Sequence, residues 1–314
     1  MVISVGEVLV DMIGTKHKDN VLYESFIGGA PFNLACNIKK LGGKVGFIGT
    51  IGDDLLGKFL FEKIIKINLN FTSISFDYKH NTTVALVNLD KTGERSFSFL
   101  RKNCADYFID VKHIIKCKTL EQGDIIHIGS LMLSEKEGQK NFNLLINEAK
   151  KLNKLVSFDI NYREDLFDDN IKAMKCIDYA IKEADILKFS EDELYMLTKT
   201  NTLEEAIKLF NYNQIVFITL SSLGSACFYK GKIIKAPTIE VKPVDTTGAG
   251  DAFYAATLKQ LDELNIDELT ESQIKQLLKF SNVCGGLTTT SKGAIDAFPS
   301  KRKIKKYSDF IYND

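Results

Sequence analysis

Asp245-Thr246-Thr247-Gly248-Ala249-Gly250-Asp251-Ala252-Phe253 combines three features in nine residues. Gly248 and Gly250 leave a backbone that a ligand can approach closely. Ala252–Leu258 opens an apolar helix, so the amides of Gly248, Ala249 and Gly250 point outward at a helix N-terminus, which suits an anion. Asp251 falls in the first turn of that helix. A carboxylate there can take a proton from a hydroxyl while the amides hold the negative charge that develops. An ordinary N-cap would explain a lone Gly-x-Gly; small residues through the whole string favour the chemical reading.

Outward from this string the chain alternates short apolar runs with amphipathic stretches. Val2–Val10 reads as one buried strand ending at Asp11, and 45–51 as the next. Further strands are expected near 124–129, 155–159, 185–189, 214–220 and 226–229. Helices are expected from Pro31, after Gly28-Gly29, to Leu41, over 54–67, and near 134–152, 168–184, 191–197, 203–210, 248–262 and 271–290. The alternation predicts an α/β fold, a mainly parallel central sheet with helices on both faces. Active sites of such sheets lie at the carboxyl ends of strands, where Asp11, Asp159 and Thr219 fall in this reading. Residues 82–89 and 95–100 read as a β-hairpin around Asp90-Lys-Thr-Gly-Glu. With 15–28, read as a loop or an edge strand, they form a small β lid, spanning about 13–28 and 82–101. The whole chain, 1–314, is expected to be a single domain with that lid inserted.

Composition narrows the function. Hydrophobic residues make up 45% and charged residues 26%, enough for a core and too much for wholesale disorder. Lys+Arg and Asp+Glu are 41 each, so the basic excess of a nucleic-acid binder is missing. Six cysteines without a C-x-x-C pair suggest reduced thiols and a cytoplasmic protein. The four histidines show no zinc-like spacing. Glu7 and Asp11 interrupt the first apolar run, which argues against a signal peptide, and no stretch is long enough to span a membrane. The Asn-x-Thr sequons at Asn70 and Asn81 read as chance matches, and Lys301–Lys306 as a solvated basic run. Gly52-Asp-Asp-Leu-Leu-Gly-Lys-Phe59 nearly matches a phosphate-binding loop. Phe59 replaces the required hydroxyl and two acids sit where phosphates would bind, so it reads as a loop into a helix. No Gly-x-Gly-x-x-Gly follows the first strand, which argues against a dinucleotide enzyme.

The string 245–253 resembles the C-terminal signature of the ribokinase-like, PfkB carbohydrate kinase family. Gly28-Gly-Ala-Pro-Phe-Asn-Leu-Ala resembles the family's N-terminal signature, followed by Phe47-Ile-Gly-Thr-Ile-Gly-Asp-Asp-Leu-Leu-Gly. Thr92-Gly-Glu-Arg-Ser-Phe-Ser-Phe-Leu-Arg, Phe158-Asp-Ile-Asn-Tyr-Arg, Lys188-Phe-Ser-Glu-Asp-Glu and Lys292-Gly-Ala-Ile follow in the family's order. Gly-Gly-Ala-Pro-x-Asn, Gly-Glu-Arg-x-Phe and Asp-x-Asn-x-Arg look most like fructokinases.

The resemblance implies an ATP-dependent kinase acting on a primary hydroxyl, D-fructose to fructose 6-phosphate, with Mg²⁺ and K⁺. Asp251 would be the base and Gly248, Ala249 and Gly250 the anion hole. Asp11, Gly28, Gly29, Asn33, Asn161 and Arg163 would hold the sugar, with Phe99 and Arg101 reaching it from the lid. Lys188, Thr219, Ser221, Gly224 and Asn282 would face the nucleotide. Ser221 stands where the family has Gly, which leaves the conformation of that loop open. Glu193 would hold Mg²⁺ through water, with Ser190 in place of the family's Asn. Asp245 and Thr247, with carbonyls near Thr288 and Gly293, would form a K⁺ loop. A homodimer through the lid is implied; no nucleic acid or membrane is. Other readings are a 2-keto-3-deoxygluconate kinase, with Arg101 and Arg163 on a carboxylate, another sugar or nucleoside kinase of the PfkB type, and a non-catalytic sugar sensor.

Overall fold

A computed structural model describes residues 1–18, 20–89, 95–167 and 170–313. Thirteen strands form two sheets among these residues. They are β1 (Val2–Val5), β2 (Leu9–His17), β3 (Asn20–Gly28), β4 (Val45–Gly52), β5 (Phe71–Asp77), β6 (Val84–Leu89) and β7 (Arg95–Leu100). Then follow β8 (Ile125–Gly129), β9 (Leu155–Asp159), β10 (Ile186–Ser190), β11 (Ile215–Thr219), β12 (Ser225–Tyr229) and β13 (Lys232–Ala236). The large sheet runs β13-β12-β11-β10-β9-β8-β1-β4-β5 and is parallel except on both sides of β12. The small sheet, β3-β2-β6-β7, is the lid.

The parallel strands are apolar on both faces because helices cover both. Successive side chains point to opposite faces. Accordingly Val2, Ile125, Ile186 and Ile215 join one core with Phe32 and Tyr254, while their neighbours Ile3, Ile126, Leu187 and Val216 join another with Phe142 and Phe158. Helix starts follow their side chains. Asp54 accepts from the Gly57 amide at 2.7 Å, and Ser190 with Glu193 and Thr270 with Gln273 close reciprocal capping boxes.

The expected first strand is in fact two. The chain leaves the central sheet after Val5, turns at Gly6 (φ 154°), and re-enters as β2 of the lid. A Cβ on Gly6 would lie 2.6 Å from Pro31 Cγ, so the turn needs glycine. Val8, Leu9 and Val10 are as buried as Val2–Val5, so apolar periodicity carried no sign of the break. Asp11 therefore sits within β2 rather than at the end of a core strand. The lid begins at Leu9; within 15–28, residues 15–17 end β2 and Asn20–Gly28 is the edge strand β3 that pairs antiparallel with it, so the edge-strand reading holds over the loop. The hairpin turn 90–94 lies outside the described residues. Strands β5 and β13 were not anticipated, and the helix expected over 203–210 is one α turn, Leu203–Ala206, followed by a 3₁₀ turn to Leu209.

Candidate active site

The carboxyl ends of β8 to β11, namely Gly129, Asp159, Ser190 and Thr219, lie side by side in the sheet. Two cavities open there. One, of about 940 Å³, is lined by Asp11, Gly29, Asn33, Phe99, Asn161, Arg163, Lys188, Glu193, Asp245, Thr247, Gly248, Gly250 and Asp251. The other, of about 530 Å³, is lined by Thr219, Ser221, Gly224, Ala249, Gly250, Phe253 and Asn282. They share Thr219, Pro243, Thr246 and Gly250, so the start of helix Ala249–Leu261 is their common wall.

Gly248 caps that helix in the left-handed region, φ 76°. A Cβ there would lie 2.6 Å from Ala294 Cα, so no larger residue fits. The Ala249 amide turns back to the Thr246 carbonyl at 3.2 Å. That removes Ala249 from the expected donors. The amides of Gly248, Gly250 and Asp251 meet no acceptor among the described residues, and they leave three donors at a positive helix end. Lys188 Nζ lies 3.1 Å from where a Gly250 Cβ would sit, so a full positive charge backs the same spot.

Asp251 keeps one face open to the larger cavity and protein on its others. Burial raises its proton affinity, opposed by a 2.9 Å hydrogen bond from Asn33 Nδ2 and by the charges of Lys188 and Arg163. Lys188 donates to both Asp159 oxygens, at 3.0 and 3.1 Å. Burial works against its charge, but Asp159, Glu193 and Asp251 together hold its pKa above the ordinary lysine value.

Asp11 packs against Gly28, which lines neither cavity itself. Asn161 holds φ 34°. Ser221 holds φ 51°, so the loop keeps the left-handed turn that glycine favours, at a cost of roughly 1 kcal/mol. Asn282 donates its side-chain amide to the Ala236 and Pro237 carbonyls at 3.2 and 2.9 Å. Glu193 accepts from the Tyr162 and Ser190 amides at 2.8 and 2.7 Å. Its remaining lone pairs suit a water of a Mg²⁺ shell, and a site this sparse fits an ion that takes its other ligands from water and phosphate. Asp245 accepts from the Thr247 and Gly293 amides at 3.0 and 2.9 Å. It clamps 245–247 to the 288–293 turn, where a carboxylate and backbone carbonyls, those of Thr288 and Gly293 included, are hard oxygen donors suited to K⁺.

Arg101 departs from its expected place. It is 3% exposed and lines neither cavity. Its guanidinium is held by Asp106, the Tyr107 hydroxyl at 2.7 Å, the Leu131 carbonyl at 2.7 Å and Ser134 at 3.1 Å. It is a latch between the end of β7 and the main body. Sequence reasoning missed Glu7, Leu131 and Lys292 on the wall of the larger cavity. For Glu7 the signal was there, a carboxylate inside an apolar run.

The family model for the pfkB family carbohydrate kinases matches residues 1–301. The chain belongs to this family. The kinase is 34% identical to "Probable fructokinase-5" of Arabidopsis thaliana, over 98% of this chain and 96% of that protein. Among solved structures it superposes on the fructokinase of Xylella fastidiosa with bound ATP at a TM-score of 0.87, with 26% identity over 97% of each chain. It superposes on the fructokinase of Vibrio cholerae O395 in its fructose, ADP and calcium-bound form at 0.86, with 32% identity over 98% of each chain. A double mutant of that enzyme is described with fructose, ADP and potassium. The kinase thus has the ribokinase-like α/β fold and is an ATP-dependent sugar kinase. Among the described residues no helix is long and apolar enough to cross a membrane.

Proposed function

We propose that the protein is a fructokinase, transferring the terminal phosphoryl group of ATP to the 6-hydroxyl of D-fructose. The observation that carries this reading is the shared wall. A carboxylate of raised proton affinity lies on the larger cavity, beside three amides that meet no acceptor among the described residues, at the seam where it meets the smaller cavity. Sugar fits the larger cavity, with Asp11, Asn33, Asn161 and Arg163 toward its hydroxyls and Phe99 closing from the lid. Nucleotide fits the smaller, along Thr219, Ser221, Gly224 and Asn282.

Asp251 accepts the hydroxyl proton as the oxygen attacks phosphorus, and Asn33 fixes the orientation of its carboxylate. The Gly248, Gly250 and Asp251 amides and Lys188 meet the charge on the transferring oxygens. Glu193 would hold Mg²⁺ through water, where the ion would supply charge neutralisation for the polyphosphate, and Asp245 and Thr247 with the carbonyls of Thr288 and Gly293 would hold K⁺ beside the loop that leads into the anion hole. Val21, Leu22, Tyr23 and Leu100 put exposed apolar surface on the lid, which supports pairing of two lids in a homodimer.

A keto-acid kinase would use Arg101 and Arg163 on a carboxylate. Arg101 is occupied by Asp106, which weakens that reading. ADP release by the purified protein over a panel of sugars and keto-acids, with and without K⁺, tests the assignment. Fructose should give the highest kcat/KM, and Asp251→Ala should remove nearly all turnover while fructose still binds. A keto-acid rate far above the fructose rate would overturn the substrate, and normal turnover by Asp251→Ala would overturn the base.

A further inference from the structure

Glu7 is an anomaly of the larger cavity. It is 2% exposed, and neither carboxylate oxygen has a hydrogen-bond partner among the described residues. A buried carboxylate without partners is costly, and proteins rarely keep one without a reason outside the chain. The backbone is pinned on one side, since the Glu7 carbonyl lies 2.5 Å from where a Gly29 Cβ would sit. On the other, Oε2 lies 2.9 Å from where a Gly129 Cβ would sit, which puts the carboxylate over the carboxyl end of β8. Glu7 is among the residues of the cavity wall, together with Asn33 and Leu131, and its carboxylate oxygens lie just beneath that wall.

Arg101 is the obvious internal partner, and its charge does act on Glu7. Its donors, however, go to Asp106, Tyr107, Leu131 and Ser134. Burial pushes Glu7 up to about 7, against the lowering pull of Arg101 and with the raising influence of Asp106 and Asp251. Asn33 is 6% exposed and its Oδ1 is likewise without a partner, while its Nδ2 holds Asp251. Three acceptor oxygens on one wall are therefore unsatisfied. A polyol brings what they lack, several O–H donors on adjacent carbons.

We propose that Glu7 is a substrate-binding residue, its carboxylate accepting hydrogen bonds from hydroxyls of the bound sugar beside Asn33. This rests on the sugar-kinase site described above. Binding, with a small side-chain adjustment toward the cavity, gives the orphaned oxygens their partners. A site with a buried acceptor discriminates strongly against an analogue lacking the matching hydroxyl. Glu7 is thus a determinant of polyol selectivity as well as of affinity.

The test pairs Glu7→Gln with fructose analogues lacking one hydroxyl each. The variant keeps the shape and replaces one acceptor oxygen by an amide. Its fructose KM should rise by about tenfold or more, by more than kcat falls. In the native enzyme at least one deoxy analogue should lose a similar factor in kcat/KM. In Glu7→Gln the same analogue should lose about threefold or less, because the interaction is already gone. Losses that simply multiply, or an unchanged KM, overturn the proposal. The melting temperature without sugar should hold or rise, since an unpartnered carboxylate has been neutralised. A fall of more than about 10 °C shows that the chain itself satisfies Glu7, and likewise overturns it. Native enzyme that releases no ADP with any sugar of the panel brings down the sugar-kinase reading and this proposal together; native turnover with an unaffected variant brings down this proposal alone.

Discussion

Asn33 acts on Asp251 in a direction that can be worked out. Burial raises the proton affinity of Asp251 above the ordinary carboxylate value of 3.8, and the hydrogen bond from Asn33 is the largest influence opposing it. A base must be ionised to accept a proton. A raised pKa therefore keeps the inactive, protonated form to higher pH, and the acid limb of kcat should lie above the range of an exposed aspartate. Removing Asn33 removes a stabiliser of the ionised form, so in Asn33→Ala that limb should move to still higher pH. A hydrogen bond to a charged group contributes about 1.5–3 kcal/mol, enough to make the upward move plain in the profile. A kcat profile whose acid limb stays put, or moves down, in Asn33→Ala would show that Asn33 does not tune this carboxylate. The same profile in Asp251→Asn should have no acid limb to shift, because too little turnover remains.

At the scale of elements, the lid hangs on a buried ion pair. Arg101 follows β7 directly, and its partner Asp106 also accepts from Thr83, at the entry to β6. Both side chains are almost wholly buried, at 2% and 1%. Truncating one partner of such a pair leaves the other as an uncompensated charge, at a cost of about 3–5 kcal/mol. An exposed helical pair such as Lys182–Asp178 is worth about 0–1 kcal/mol. Arg101→Met should therefore destabilise the protein severely and Lys182→Met hardly at all, compared by denaturant titration. Near-equal midpoints would mean that Arg101 does not anchor the lid. This latch also marks where sequence reading ran out. Gly248, Gly250 and Asp251 were legible because glycine, glycine and acid at a helix start state their chemistry locally. Arg101 was assigned to substrate because its partner sits five residues on, and only folding reveals that Asp106 claims it. The split between β1 and β2 was invisible for a different reason, since both halves are apolar and both are buried. Glu7 was legible as an exception and not as a wall of the site, because burial is a property of the folded chain.

The whole molecule divides the work between a nine-stranded sheet and a four-stranded lid. The large sheet packs helices on both faces and presents its strand ends to the two cavities, while the lid supplies Asp11 and Phe99 to the larger one. A sheet of four strands covered on one side leaves its outer face without a second layer. The lid's edge strands carry exposed apolar side chains: on β3 Val21 (49%) and Tyr23 (46%) stand on one face and Leu22 (59%) on the other, and Leu100 (56%) ends β7. An edge strand bearing exposed apolar side chains is a template for another chain, and monomeric proteins usually blunt it with charge. The lid-to-lid dimer proposed above would cover it. Leu22→Glu puts a charge on β3 without touching either cavity, so it should leave the fold intact and break a dimer built there. Sedimentation velocity should show the native chain near twice the mass of the variant at micromolar concentration. If the variant stays associated, or the native chain is monomeric throughout, the partner surface lies elsewhere or is lacking. If dimerisation also steadies the lid over the sugar, the Leu22→Glu monomer should have a raised fructose KM and an ATP KM close to native, because no residue of the lid lines the smaller cavity, where nucleotide is proposed to bind.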